Sequence, residues 1–248
     1  MYKKGIYEIV SNEPLTASVY RMVVAGDTQY LTASGQFVNI EVPGKFLRRP
    51  ISVCDYDERT ITLIYKVVGE GTERMAGMKA GERLDILTGL GNGFDTTTCR
   101  EQALLVGGGV GVPPLYNLAR RLLAEGREVT VVLGFNTQEE IFYADEFAAL
   151  GARVIVATAD GSRGVKGFVT DAIRSERPAY DYVYACGPMP MLRALGGAIG
   201  DVPGQFSFEE RMGCGFGGCM GCTCKTKGGN KRICREGPVL KTDEIIWE

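Results

Sequence analysis

The sequence predicts a multi-domain β + α/β protein. An antiparallel β-barrel is expected over residues 1–99, a parallel-sheet α/β domain over 100–204, and a small cysteine-rich segment over 205–248. Three observations carry this division. Short alternating apolar runs fill the first part. Strand-like runs alternate with amphipathic helical runs from about residue 100 to 200. Five of the chain's eight cysteines then crowd into residues 211–234, among seven glycines.

The barrel elements come first. "YEIVSNEPLTASVYRMVVAG" and "ASGQFVNIEVPG" are alternating runs punctuated by Gly, Pro and Asn. "RRPISVCDYDERTITLIYKVV" reads as two strands around a polar "DERT" turn, with Ile61, Leu63, Tyr65 and Val67 on one face of the second. Short strands at this spacing suggest a closed antiparallel barrel. The period then changes. "ALLVGGG" reads as a buried strand and "PPLYNLARRLLAEG" as a helix ending at Gly126. "EVTVVLGF", "ARVIVATAD" and "YDYVYACG" read as strands, and "EEIFYADEFAALG", "FVTDAIRSE" and "PMPMLRALGGAIG" as helices. Such alternation means a parallel sheet with helical crossovers. The last segment shows little periodicity and is short enough to need a staple.

Composition excludes several classes of function. With 248 residues and 45% hydrophobic content the chain can bury the cores of two small domains. A net charge of −2 gives no basic footprint for nucleic acid. No apolar run approaches the roughly 20 residues of a membrane span, and "MYKKGIYEIVSNEPL" has no apolar signal core. A cytoplasmic protein is expected, in which reduced cysteines favour metal or redox chemistry over disulfides. The chain has no histidine. That removes Ser–His–Asp catalysis, His-ligated zinc and Rieske-type ligation by its own side chains. A catalytic acid or base is accordingly not assigned, and bound cofactors are expected to carry the chemistry.

Cys214, Cys219 and Cys222 are spaced C-x4-C-x2-C. This is the plant-type spacing of a [2Fe–2S] cluster, which needs one further thiolate. Cys234 can supply it. Cys224 is an alternative, although two ligands one residue apart make an awkward chelate. Structural zinc is the competing reading, but zinc knuckles usually come as two separated C-x2-C pairs. Gly213, Gly215, Gly217, Gly218 and Gly221 let main-chain N–H groups turn toward sulfur. Lys225, Lys227, Lys231 and Arg232 follow closely enough to offset negative charge. Gly215, Phe216, Gly217 and Met220 are expected to form an exposed rim. Cys54 and Cys99 read as small buried apolar residues.

Three further motifs point to nucleotides. In "LLVGGGVGVPPL" a strand runs into a glycine turn and a helix, which suits a phosphate. Gly107, Gly108, Gly109 and Gly111 are the candidates, although the pattern is not G-x-G-x-x-G. "YACGPMPM" ends another strand, with Cys186, Gly187, Pro188 and Met189 at the same sheet edge, where ligands of parallel sheets bind. "RRPIS" places Arg49, Pro50, Ile51 and Ser52 at a strand start, able to grip a pyrophosphate. "YKVVGEGT" ends a strand in a turn containing Gly71 and Thr72. After the second nucleotide strand, "LGFNTQEEIFY" carries Glu139 and Glu140 and no Lys or Arg, which favours NAD over NADP.

Together these motifs resemble the ferredoxin–NADP reductase superfamily, in which an FAD-binding barrel with an R-x-[YFI]-[ST] signature precedes a nicotinamide-binding domain. The order of barrel, nucleotide domain, C-G-x-G-x-C-x-x-C and a further cysteine before "EGPVL" is similar to the electron-transfer subunits of NAD-dependent dihydroorotate dehydrogenase B, across nearly the whole chain. The resemblance implies FAD held by Arg49 and Ser52, lined by the backbone of Ile64, Tyr65 and Lys66, with its pyrophosphate at Gly71–Thr72. It implies a [2Fe–2S] cluster on Cys214, Cys219, Cys222 and Cys234, and NAD as co-substrate at the glycine turns. It also implies a partner, an FMN-containing catalytic subunit that oxidises dihydroorotate in pyrimidine biosynthesis, in a heterotetramer of two plus two. Electrons would then pass by way of the cluster and FAD to NAD+. Electron exchange between NAD(P)H and ferredoxin, or another redox partner, is the alternative. Cys224 has no counterpart in this pattern.

Overall fold

Alternation along the first strands decides how the chain closes on itself. A computed structural model describes residues 2–247. Six strands, β1 (Lys3–Pro14), β2 (Val19–Ala25), β3 (Phe37–Ile40), β4 (Arg49–Tyr56), β5 (Thr60–Lys66) and β6 (Arg83–Leu90), form an antiparallel barrel in the order β1-β2-β5-β4-β3-β6. Pairing of β6 with β1 closes it. On β5, Ile61, Leu63 and Tyr65 point inward against Met22, Val24, Ile40 and Ile86. Ile64 between them faces the neighbouring domain's core, as a period of two requires. The strand stops at Lys66, one residue before the expected Val67. At the "DERT" turn the Asp57 carboxylate accepts the N–H groups of Arg59 and Thr60, both at 2.8 Å. Helix α1 (Glu70–Ala76) follows where a simple turn was expected. The Thr72 hydroxyl builds its first turn, accepting the Val68 N–H at 2.9 Å and donating to the Gly69 carbonyl at 3.0 Å.

The second unit runs β7 (Gln102–Gly108), α2 (Pro114–Ala124), β8 (Glu128–Phe135), α3 (Ala144–Ala149), β9 (Arg153–Thr158), β10 (Val165–Lys166), α4 (Val169–Glu176), β11 (Tyr182–Cys186), α5 (Met189–Ala198) and β12 (Gly204–Ser207). These strands pair in parallel in the order β10-β9-β8-β7-β11-β12. The order reverses between β7 and β11, which leaves a crevice outside their carboxyl ends. Hydrogen bonds of α2, led by those of Asn117 and Arg120, seat this unit against the barrel. Asn117, 1% exposed, accepts from Ser34 Oγ at 2.5 Å and donates to Asp55 Oδ1 at 2.6 Å. Arg120 reaches the same Asp55 oxygen at 2.7 Å.

The cysteine-rich segment is more regular than its sequence suggests. It holds a hairpin, β13 (Thr223–Thr226) and β14 (Gly229–Arg232), and strand β15 (Val239–Lys241). β15 pairs antiparallel with β12 and becomes the seventh strand of the large sheet. The expected domain boundary at 204–205 lies at the start of β12. Among the described residues no helix is long and apolar enough to cross a membrane.

Candidate functional site

The glycines of the switch point are there because backbone must touch backbone. A Cβ on Gly111 would collide with the Cys186 carbonyl, and one on Gly108 would stand 2.5 Å from Met191 Sδ. Only glycine lets the turns after β7 and β11 close on each other. Gly109 takes a left-handed φ of +52°. The crevice above them encloses about 520 Å³. Its walls include Gly108, Gly109 and Gly111, Gly187 and Pro188, and from the barrel Ser18, Val19 and Lys66. Gly107 and Cys186 sit beneath, buried. Met189 lies outside the lining and is exposed. Burial pushes the Cys186 thiol up to about 12, and the nearby Glu209 carboxylate adds to that shift.

Arg49, Pro50, Ile51 and Ser52 pair along β4 with Ile40, Asn39, Val38 and Phe37 of β3. Arg49 reaches across to α1, where a Cβ on Gly71 would collide with its guanidinium. The arginine and the Gly71–Thr72 turn therefore form one surface, with Gly71 leaving room for the guanidinium. Such a cradle fits a pyrophosphate, which takes a charge-assisted bond from arginine. Lys66 ends β5 at the mouth of the nucleotide crevice. The Tyr65 ring points into the barrel, its hydroxyl donating to Asn12 Oδ1 at 2.9 Å, so only the main chain of that residue faces out.

The four cysteines come together as two pairs. Main-chain N–H groups of Cys214 and Cys219 each meet the other's sulfur, and the N–H of Cys234 meets that of Cys222. Five main-chain N–H groups point at these sulfurs. Gly218 and Cys219 donate to Cys214 Sγ at 3.2 and 3.4 Å, and Cys214 and Gly221 donate to Cys219 Sγ at 3.4 and 3.5 Å. Cys234 donates to Cys222 Sγ at 3.4 Å. Burial raises the Cys214 thiol, but the N–H groups around it outweigh that and bring it down to about 6. Burial, with the Cys222 sulfur beside it, pushes Cys234 up to about 12. Among the described residues no three His, Cys, Asp or Glu side chains gather about a single point. Four cysteine thiols with main-chain N–H groups at their sulfurs fit the donor chemistry of a two-iron cluster, which takes four thiolates. Cys224 stands apart. It pairs with Lys231 across the hairpin and packs on the sheet's core, where burial raises its pKa.

Two sequence expectations change here. Gly215 and Gly217 do not belong to an exposed rim, because both are buried. Gly217 has a φ of +91°, and a Cβ there would stand 2.6 Å from Arg235 Cδ. The rim consists of Phe216 and Met220, joined by Tyr2, whose ring lies 5.4 Å from that of Phe216. Of the four expected cations only Arg232 bonds the cysteine loop among the described residues, donating to the Gly217 carbonyl at 2.7 Å. Lys231 turns to Glu244 at 2.8 Å. Sequence reasoning missed Glu209, which lines the crevice and whose carboxyl burial raises. Its position just after β12, at a carboxyl end of the parallel sheet, was the available signal. Glu140 also lines the crevice and accepts from Asn136 Nδ2 at 2.8 Å.

Comparison with known proteins agrees with this geometry. Residues 209–246 match the iron–sulfur cluster binding domain of dihydroorotate dehydrogenase B, and residues 105–196 the oxidoreductase NAD-binding domain. The NADH-dependent reduced ferredoxin–NADP oxidoreductase, solved in a study of flavin-based electron bifurcation, superposes with a TM-score of 0.89 at 31% identity, covering 98% of this chain and 90% of that one. A ferredoxin NADP+ reductase from Neisseria gonorrhoeae with bound FAD and NADP shares the fold at a TM-score of 0.69 and 17% identity, over 81% of this chain and 92% of that one. The dihydroorotate dehydrogenase B (NAD(+)) electron transfer subunit of Bacillus mycoides (strain KBAB4) is 42% identical, and that of Geobacillus sp. (strain WCH70) 44% identical, each over 99% of this chain and 100% of the relative. The chain belongs to the family of dihydroorotate dehydrogenase B electron transfer subunits.

Proposed function

We propose that this chain carries electrons from a catalytic subunit that oxidises dihydroorotate to NAD+, with FAD and a [2Fe–2S] cluster as its resident cofactors. The observation that carries this reading is the two amide-lined thiol pairs set beside a barrel whose other edge walls a switch-point crevice. A cluster supplies one-electron chemistry and a flavin joins it to the two-electron chemistry of nicotinamide. The chain's residues supply the holding. Cys214, Cys219, Cys222 and Cys234 ligate the cluster, and the N–H groups of Cys214, Gly218, Cys219, Gly221 and Cys234 stabilise the charge on their sulfurs. Arg49 and the Gly71–Thr72 turn hold the FAD pyrophosphate, while Pro50, Ile51, Ser52 and the backbone of Ile64, Tyr65 and Lys66 face the flavin. Gly108, Gly109 and Gly111 with Gly187 and Pro188 form the nicotinamide side, supported from beneath by the buried Gly107 and Cys186. Glu140, in the turn that follows β8, suits a free ribose hydroxyl better than a 2′-phosphate, which selects NAD.

The partner is an FMN-containing catalytic subunit, assembled two plus two with this chain, and it docks over the Tyr2–Phe216–Met220 rim beside the thiols. The crevice has Lys66, Glu140 and Glu209 as its titratable side chains, and hydride transfer to NAD+ needs no proton acceptor there. Expression with and without that partner tests the reading. The isolated chain should contain iron, sulfide and flavin, and should pass electrons from NADH to a dye. Adding the partner should establish NAD+ reduction driven by dihydroorotate. A chain that oxidises dihydroorotate alone, or that never takes up iron, overturns it. The alternative, exchange with ferredoxin, draws on the likeness to the ferredoxin–NADP oxidoreductase and would show as rapid ferredoxin reduction without any dihydroorotate activity in the complex.

A further inference from the structure

Asn39 lies on β3 with 1% of its surface exposed. It is a polar residue in the wall of an apolar barrel, and its side chain leaves the barrel altogether. Its Nδ2 donates to the carbonyl of Cys214 at 3.2 Å, across 175 residues of sequence. The orientation of the amide follows from that bond, because the reverse would set two oxygens against each other. The opposite end, Oδ1, is shielded from solvent and has no donor. Buried acceptors without partners are rare and costly. The cysteine loop is shaped around the same group. Gly215 has a φ of +78°, and a Cβ there would collide with Asn39 Nδ2. Any other residue at 215 would push the loop off the barrel.

The backbone of Asn39 is held as firmly. Its Cα partner on β4 is Pro50, and on the other side it faces Leu87 of β6. Its carbonyl accepts from Arg48 Nη1 at 3.3 Å, and the same guanidinium grips Asp85 at 2.8 Å. Asn39 is the one barrel side chain that hydrogen-bonds the loop from Gly213 to Cys222, among the described residues. Further along the segment Asn92 bonds residues 236–239, and Asp95 bonds Gln205, neither touching the thiol loop.

We infer that Asn39 is a positioning residue for electron transfer. It ties the Cys214 end of the thiol loop to the strand beside Arg49–Ser52 and so sets the separation of cluster and flavin. This rests on the function proposed above, and it adds a residue that contacts no substrate. Electron tunnelling weakens steadily as donor and acceptor move apart, so a lost tether should appear in one step alone.

The test uses the full chain with its cofactors. Wild type, Asn39→Asp and Asn39→Ala are mixed with NADH in a stopped-flow spectrometer, and flavin bleaching and cluster reduction are followed at separate wavelengths. Asn39→Asp keeps the shape but replaces the donor with an oxygen. Flavin bleaching should stay within about twofold of wild type, while cluster reduction slows by about tenfold, a barrier change of about 1.4 kcal/mol. A second readout needs no turnover. Hydrogen exchange in the metal-free chain should show amides 213–221 losing protection in both variants, with those of β3 and β4 unchanged. Equal cluster-reduction rates at equal iron content overturn the inference and leave the proposed function standing. Joint loss of flavin and iron in both variants means a folding role only, and also overturns it. A wild-type chain without iron overturns the parent reading and this inference with it.

Discussion

At the scale of single residues, Gly71 and Arg49 make the sharpest case. A methyl group at Gly71 has to displace the guanidinium, so Gly71→Ala should loosen FAD without unfolding α1, since alanine is a better helix former there. Arg49→Ala removes a charge-assisted contact worth about 1.5–3 kcal/mol, about ten- to a hundredfold in flavin affinity. Titration of the stripped protein with FAD measures both, and unchanged affinity in Arg49→Ala would place the pyrophosphate elsewhere. The thiols give a second prediction. Cys234→Ser should lose iron, while Cys224→Ser, altered on the hairpin opposite Lys231 and outside the two pairs, should keep both iron and visible spectrum. The thiols are legible as candidates from their spacing alone, because three of the four ligands fall within nine residues of one another. Asn39 and Glu209 are not legible in that way, because their roles arise from segments far apart in the chain.

At the scale of elements, strand β11 begins with a carboxylate that organises the linker between barrel and sheet. Asp181 accepts the N–H groups of Arg100, Glu101 and Gln102 at 3.1, 2.8 and 2.9 Å. Burial raises its pKa, but those three donors outweigh burial and hold the carboxyl below its ordinary value. Asp181→Asn should cost about 1.5 kcal/mol at pH 7, the low end for a charged acceptor because the site is partly exposed. A depressed folded pKa contributes stability that is complete above the unfolded value, near 3.9, and is lost as pH falls through the folded value. The gap between wild type and variant in urea unfolding should therefore narrow below about pH 4; a gap that widens in acid would contradict the assignment. Most strands and helices of the first two domains were readable from period alone. Helix α1 and strand β15 were not. The first is built by one threonine hydroxyl within a glycine-rich turn, and the second is three residues long and owes its strand to β12.

At the scale of the whole molecule, the exposed apolar side chains Tyr2, Phe216 and Met220 make up the proposed docking face. Phe216→Asp should weaken subunit association and dihydroorotate-driven NAD+ reduction, while NADH–dye activity stays near wild type. Interface charges of this kind commonly cost more than about 2 kcal/mol at a central anchor, so a gel-filtration shift from complex to free chain should accompany the kinetic loss. Retained coupling with intact association would move the docking face elsewhere. The architecture as a whole was legible because barrel, parallel sheet and cysteine loop each leave a different period in the sequence. Their mutual placement was not, because it depends on lone buried polar groups such as Asn117. The pairing of β15 with β12 carries one last consequence. Ser207 and Val239 are Cα partners, so the chain leaves and rejoins the sheet at a single point, and everything between them is a closed excursion. A segment whose two ends are neighbours can be gained, lost or exchanged without rewiring the scaffold. The metal-binding portion thus hangs from one rung of the sheet, and β15 lies beyond it, so shortening the excursion would leave the β12–β15 pairing in place.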